Sequence, residues 1–315
     1  MADKRFLRST INFNATDSTG TTGGYATMSL FRYPNATPDY EATKQYSQFT
    51  GTGNFAVNFE IGELAEDFLD VSFNGSYASQ SIRFSASIKF YDSLGTQVGS
   101  ASTLDFYGVS GYTNFEEGAD VVVTGTPPAI STRTLYLPEN TSGYIPTFSS
   151  TGFTYSSFSA TATTRTVSGV VWNIERFCTP KYTPYKVTFV NKFGALEDVY
   201  FLLVRRDTTN ITYEKFKRNI VSSTGSYNVY DHQTTTFNHN GNDTFVMNTP
   251  YVKEEYNQTL EELMLSEKIW LTENGQVVPI ICTTKGLEKK THVNDKLIQY
   301  EVSFQYAFDK INKIR

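Results

Sequence analysis

Cysteine is nearly absent from this 315-residue chain: Cys178 and Cys282 are the only two, and their separation fits no metal or redox motif. A disulfide between them stays open at this level, while two buried free thiols suit a chain made in a cytosol. Histidine is scarce too. His232, His239 and His292 form no pair at helical spacing, so the zinc option reduces to loop residues beside Asp231, weighed against exposed imidazoles. No apolar run approaches the roughly 18 residues of a membrane span. The opening MADKRFLRST lacks the apolar segment of a secretory signal, so a cytosolic origin is expected. The N-x-S/T triplets at Asn140 and Asn257 then follow from an Asn- and Thr-rich composition. Basic excess is missing as well: 27 Lys+Arg stand against 32 Asp+Glu, a net charge of -5, which argues against a dedicated nucleic-acid binder.

What the chain has in quantity is aromatic, with 24 Phe and 21 Tyr, while charged residues make up only 19%. Aromatic and β-branched side chains fit a pleated, half-buried surface, so a mainly β fold is expected. The length suffices for two domains, read as β-sandwich or barrel-like units, each with a short amphipathic helix. Residues 1–178 carry 10 basic and 16 acidic side chains, and residues 179–315 carry 17 and 16. Pro180 and Pro184 favour an extended connection at that change, which places the boundary near residue 178.

In the first domain SIRFSASIKFYDS sets Ile82, Phe84, Ala86, Ile88 and Phe90 on one face, the mark of a strand with one buried side. ADVVVTGTP and TRTLYLP predict further strands. FEIGELAEDFLD changes period: Ile61, Leu64, Ala65, Phe68 and Leu69 fall at helical spacing, as a lid on the sheets. Residues 147–169 are rich in Ser and Thr with Phe148, Phe153, Tyr155 and Phe158 between, which predicts an exposed hairpin or an arm docking on a neighbour. In the second domain Tyr185, Val187 and Phe189, then Val199, Phe201 and Leu203, alternate on either side of NKFGALED. NQTLEELMLS predicts a helix near 257–266 with Leu260, Leu263 and Met264 on one face. ENGQ, with Asn274-Gly275 at its centre, predicts a hairpin turn. KLIQYEVSFQYAF predicts a long closing strand from Leu297, with Ile298, Tyr300, Val302, Phe304 and Tyr306 in the core.

Several stretches invite a chemical reading. Asn191-Lys192-Phe193-Gly194 has the outline of a base-reading motif, but Asn-Lys-x-Asp works beside a Gly-rich phosphate loop, and here the fourth residue is glycine and no such loop occurs. A tight bend is the stronger reading. Gly241-Asn242-Asp243-Thr244-Phe245 matches part of a calcium-binding nonapeptide, yet it occurs once, whereas such rolls share each ion between consecutive copies. Paired acids of glycosidase type are Glu116-Glu117 with Asp120, Glu254-Glu255 and Glu261-Glu262, the last pair on the solvent side of the predicted helix. No Gly-x-Ser-x-Gly elbow supports a Ser/His/Asp triad. RRDTTNITYEKFKR is the one basic cluster, with Arg205, Arg206, Lys215, Lys217 and Arg218 around Tyr213 and Phe216. It superficially fits a single-strand-binding face, but Asp207 and Glu214 dilute it. A charged hairpin meeting an acidic surface of another subunit is expected instead. No catalytic, cofactor-binding or metal residue is assigned.

KYTPYKVTFVNKFGALEDVYF, LEELMLSEKIWL and NDKLIQYEVSFQYAFDKINKIR, all within residues 179–315, resemble virion structural proteins of tailed bacteriophages, particularly those infecting Bacteroidota. NFEIGELAEDFLD and the strands after it are compatible with that group. The resemblance implies a non-enzymatic tail, neck or baseplate component, assembled in the host cytoplasm into symmetric multimers without a cofactor. It implies other copies of the chain and other virion proteins as partners, with host glycan a further option. Two other classes stand beside it. One is a carbohydrate- or receptor-binding tail module using Tyr107, Tyr112 and Tyr155 as stacking platforms; the other is a polysaccharide-degrading enzyme built on the paired acids.

Overall fold

The computed structural model describes residues 3–17, 24–46, 55–177, 182–289 and 298–311; Cys178, His292 and Leu297 lie outside them. Strands β1 (Asp3–Phe6), β2 (Asn12–Asp17), β3 (Gly24–Arg32), β4 (Tyr40–Tyr46) and β5 (Phe55–Glu60) lead into helix α1 (Gly62–Glu66). Then come β6 (Ile82–Asp92), β7 (Gln97–Val109), β8 (Val122–Val123), β9 (Thr134–Pro138) and β10 (Gly143–Phe148). The first half ends with β11 (Phe153–Phe158), β12 (Thr164–Val167) and β13 (Val170–Phe177). The second half runs β14 (Tyr185–Val190), β15 (Leu196–Phe201), β16 (Arg206–Lys217), β17 (Thr234–Asn248), helix α2 (Asn257–Leu265), β18 (Ile269–Glu273), β19 (Gln276–Cys282) and β20 (Glu301–Tyr306). The chain is mainly β.

Every sheet draws its strands from one side of residue 178. The first half builds a six-stranded sheet in the order β4-β3-β6-β7-β1-β8, the pair β2-β5, the hairpin β10-β11 and the trio β12-β13-β9. The second half builds one seven-stranded sheet, β15-β14-β18-β19-β20-β17-β16. Period-two burial explains the first layer. Phe84, Ala86, Ile88 and Phe90 of β6 are buried, and they meet Phe13, Val57 and Phe59 of the β2-β5 pair. Ile61, just before α1, and Ala65 within it close that layer, with Leu64, Phe68 and Leu69 packed at its edge. In the second half Leu260 and Leu263 of α2 cover Val187, Phe189, Val199, Phe201 and Phe304. The β18-β19 turn uses Asn274 at φ 50 and Gly275 at φ 77, the left-handed pair that Asn-Gly adopts readily.

Two expectations need correction. Residues 147–169 do lie in hairpins, β10-β11 and the start of β12-β13, but their aromatics are neither exposed nor held for a neighbour. Phe148, Phe153 and Phe158 are buried on their own chain, and Phe148 lies 6.3 Å from Phe6 and 6.1 Å from Phe193 between ring centroids. Aromatic burial outweighs the Ser/Thr content around it. The closing strand is also shorter than read, with regular pairing at Glu301–Tyr306 and Ile298 held by an isolated bridge to Val252.

The halves interlock. Tyr136 of β9 joins the core beneath α2, and Tyr200 of β15 joins Trp172, Ile145 and Phe158 in the first half. A further cluster mixes Val71 and Phe73 with Val190, Leu196 and Trp270.

Candidate functional site

Asn191-Lys192-Phe193-Gly194 is the bend of the β14-β15 hairpin, as the sequence suggests. Asn191 Oδ1 accepts from the backbone N–H of Phe193 and of Ala195, both at 3.1 Å, and Gly194 takes φ 84. The bend is plugged into the first half. Tyr112 N donates to Lys192 O at 2.8 Å, and Lys192 Nζ pairs with Glu117 Oε1 at 2.6 Å. The two backbones approach so closely that a Cβ on Gly111 would stand 2.8 Å from Lys192 O, and one on Gly194 would stand 2.8 Å from Gly111 N. Glycine is required on both sides of this contact.

Two carboxylates lie under the bend. Asn191 Nδ2 donates to Ala129 O and to Glu197 Oε2, each at 2.8 Å. Glu262 of α2 accepts from Lys192 N at 3.2 Å and from the Ser131 hydroxyl. Burial pushes the Glu197 carboxyl well above the ordinary range, and repulsion from Glu262 adds to it. Burial raises Glu262 too, while Ser131, the Lys192 backbone and the Lys192 charge act against the rise. Glu262 therefore corrects the solvent-side placement: its flank of α2 packs on residues 129–132 and on the bend. Glu261 alone of that pair faces outward, bridged to Lys289 at 2.7 Å. Glu197 was not singled out from sequence. Its signal was the alternation itself, since Glu197 is in phase with the buried Val199 and Phe201.

The remaining acids are dispersed into structural contacts. Asp120 accepts from the Asn12 backbone and pairs with Arg5 at 3.5 Å. Glu255 accepts from the Thr134 hydroxyl. Residues 241–245 lie within β17 as regular strand, where Asp243 faces Thr209 Oγ1 at 2.6 Å and Lys310 at 3.1 Å. His239 stacks on Tyr213 at 5.2 Å. Among the described residues no group of three His, Cys, Asp or Glu side chains is placed to hold a metal. Cys282 is a half-buried free thiol that burial pushes up. The three tyrosines do not all present an open ring: Tyr155 is half-buried with its hydroxyl accepting from Leu196 N at 3.0 Å, and Tyr112 lies 5.3 Å beneath the Arg8 guanidinium. No helix among the described residues is long and apolar enough to cross a membrane.

The basic cluster occupies the most exposed element. β16 is the edge strand of the large sheet, and all twelve of its residues are exposed. It pairs with β17 in an antiparallel ribbon with a bulge between Thr212 and Glu214. β20 supports β17 only over Thr244–Asn248, and the last backbone tie to the rest of the chain is Lys310 N to Gly241 O at 2.7 Å. Asn240 adds side-chain ties to Asp309 and Ile311 N, and among the described residues the strands beyond it hold only each other for roughly 20 Å, at about 3.4 Å per residue. This outer ribbon carries Ile211, Tyr213, Phe216 and Phe237 in the open, and the connecting loop adds Tyr227, Val229 and Tyr230. Phe216 and Phe237 meet edge to face at 5.6 Å. A two-stranded ribbon is marginal in water by itself, so this geometry combines low local stability with exposed aromatic surface.

The chain matches no protein-family model, no curated protein and no solved structure.

Proposed function

We propose that this protein is a non-enzymatic structural subunit of a tailed-bacteriophage particle, in the tail, neck or baseplate, working by assembly into symmetric multimers. The observation that carries this reading is the β16-β17 ribbon: an unsupported edge ribbon with four exposed large apolar side chains and a row of cations. Exposed strand edges are a liability in a monomer and a joint in an assembly, where a neighbour covers the apolar surface. The resemblance of residues 179–315 to phage virion proteins supports the same reading, and the ribbon lies inside that span. The buried bend and its carboxylates supply rigidity between the halves, as a load-bearing particle component requires. The test is to tag the chain and purify particles from infected cells. Stoichiometric recovery in particles is expected; presence in the lysate with absence from particles would overturn the reading.

A further inference from the structure

The ribbon needs a receiving surface, and one of opposite charge lies where the first half meets Glu267 of the second. A groove of about 1050 Å³ opens between Leu7–Thr10, α1 and the 113–119 segment, and its walls hold Glu60, Glu63, Glu66 and Glu267 against one cation, Arg8. Arg8 is shared between Glu267 at 3.0 Å and Glu66 at 3.9 Å. Glu60 is turned inward, accepting from Ile11 N at 3.2 Å and Gly62 N at 2.7 Å. Glu63 is exposed and makes no ion pair among the described residues. Four carboxylates against one cation leave the groove acidic, with the exposed Glu63 and Glu267 its accessible charges. At its rim Phe115 is fully exposed at 102%, a ring with no intramolecular packing to hold it. The ribbon is the complement: Lys215 and Lys217 make no ion pair among the described residues and stand beside Tyr213 and Phe216. No hydrogen bond or ion pair joins ribbon to groove within one chain among the described residues.

The in-register symmetric alternative is disfavoured on charge. Full-length antiparallel pairing of β16 with a second β16 would set Arg206 opposite Lys217 at both ends, and like charges directly opposite destabilise a strand pair. From this charge complementarity we infer that the ribbon of one copy docks in the Glu63–Glu66–Glu267 groove of a second copy, with Phe115 meeting the ribbon aromatics. The contact is head to tail, so it propagates until rotation closes a ring or leaves a filament. This inference rests on the assembly reading above and names its interface.

Sedimentation velocity of the full chain across concentration and salt tests it. The wild type is expected to form multimers that weaken as salt rises. Reversing the groove (Glu63→Lys with Glu267→Lys) or the ribbon (Lys215→Glu with Lys217→Glu) is expected to weaken association by at least about tenfold. Mixing the two variants sets each wild-type ribbon against a wild-type groove and each reversed ribbon against a reversed groove, and is expected to restore multimers that neither variant forms alone. Combining all four reversals in one chain is expected to restore multimers, which misfolding would not do. Multimers unchanged by groove reversal overturn this interface while leaving the assembly reading in place. Loss on ribbon reversal alone, with the groove indifferent, assigns the ribbon another partner and also overturns it. A wild type that stays monomeric at every concentration overturns both.

Discussion

Glu197 sits on a strand face otherwise given to Val199 and Phe201, and that position has a thermodynamic direction. A carboxylate removed from water loses hydration that one amide donor, Asn191 Nδ2, only partly replaces. Glu262 on α2 and Asp198 on the same strand add repulsion, so the protonated form is favoured in the folded state. An acid whose folded pKa is raised binds more protons folded than unfolded between its two values. Its contribution is then complete below the ordinary glutamate range and is lost as pH rises through the folded value. Glu262 acts with the same sign, moderated by the neighbouring Lys192 charge. Urea midpoints are therefore expected to fall between about pH 5 and pH 8. Glu197→Gln keeps an acceptor for Asn191 and removes the charge, so it should flatten that decline and leave the variant the more stable protein at the alkaline end. A wild type whose midpoint rises over that interval would refute the burial argument.

At the scale of elements, the sequence is most legible where burial is one-sided and local. Period two locates β6, Asn-Gly locates the β18-β19 turn, and helical spacing locates α1 and α2, because each depends on neighbours a few residues away. The arm was misplaced for the opposite reason. Residues 147–169 and 206–237 are both polar with interspersed aromatics, and only long-range packing separates them: Phe148 meets Phe6 and Phe193, whereas Phe216 meets Phe237 alone. The same limit hid Glu262, whose flank of α2 becomes interior only because Ser131 and the bend pack on it. Of the candidate site, the cations and aromatics of the ribbon were readable; that β16 is an edge strand among the described residues was not. Because the outer ribbon contributes little to any core, Phe216→Ser with Phe237→Ser should change the chain's unfolding free energy by no more than about 0.5 kcal/mol. The same pair should weaken self-association measurably in sedimentation. A large loss of stability would mean that the ribbon packs against its own chain.

At the scale of the whole molecule, the sheets separate at residue 178 but the cores do not. Domains joined by a polar, modest interface move and unfold independently. Here the β14-β15 bend enters the first half with Asn191 fully buried, and Gly111 and Gly194 bring the two backbones into contact. Pulling the halves apart would take the Asn191 amide from Ala129 O, the Glu262 carboxyl from the Ser131 hydroxyl and Lys192 from Glu117. It would also expose Val71, Phe73 and Trp270 together. Opening the interface thus costs much of what unfolding either half costs, and the two processes should merge into one transition. The two tryptophans make this measurable, since Trp172 is buried in a cluster that is first-half apart from Tyr200, with Nε1 donating to Thr132 O at 2.9 Å, and Trp270 belongs to the shared cluster. Trp270→Phe leaves Trp172 to report the first half, and Trp172→Phe leaves Trp270 to report the junction. In urea the fluorescence of each variant is expected to coincide with its own loss of far-ultraviolet circular dichroism. Fluorescence from Trp270 changing well before the circular dichroism would show that the junction opens first and that the halves are independent bodies. A subunit that opened there would separate Glu267 from the first-half walls of the groove and let the ribbon swing away from them, and a head-to-tail contact could not then fix one rotation per copy. Coincident transitions are what a symmetric multimer of this chain demands.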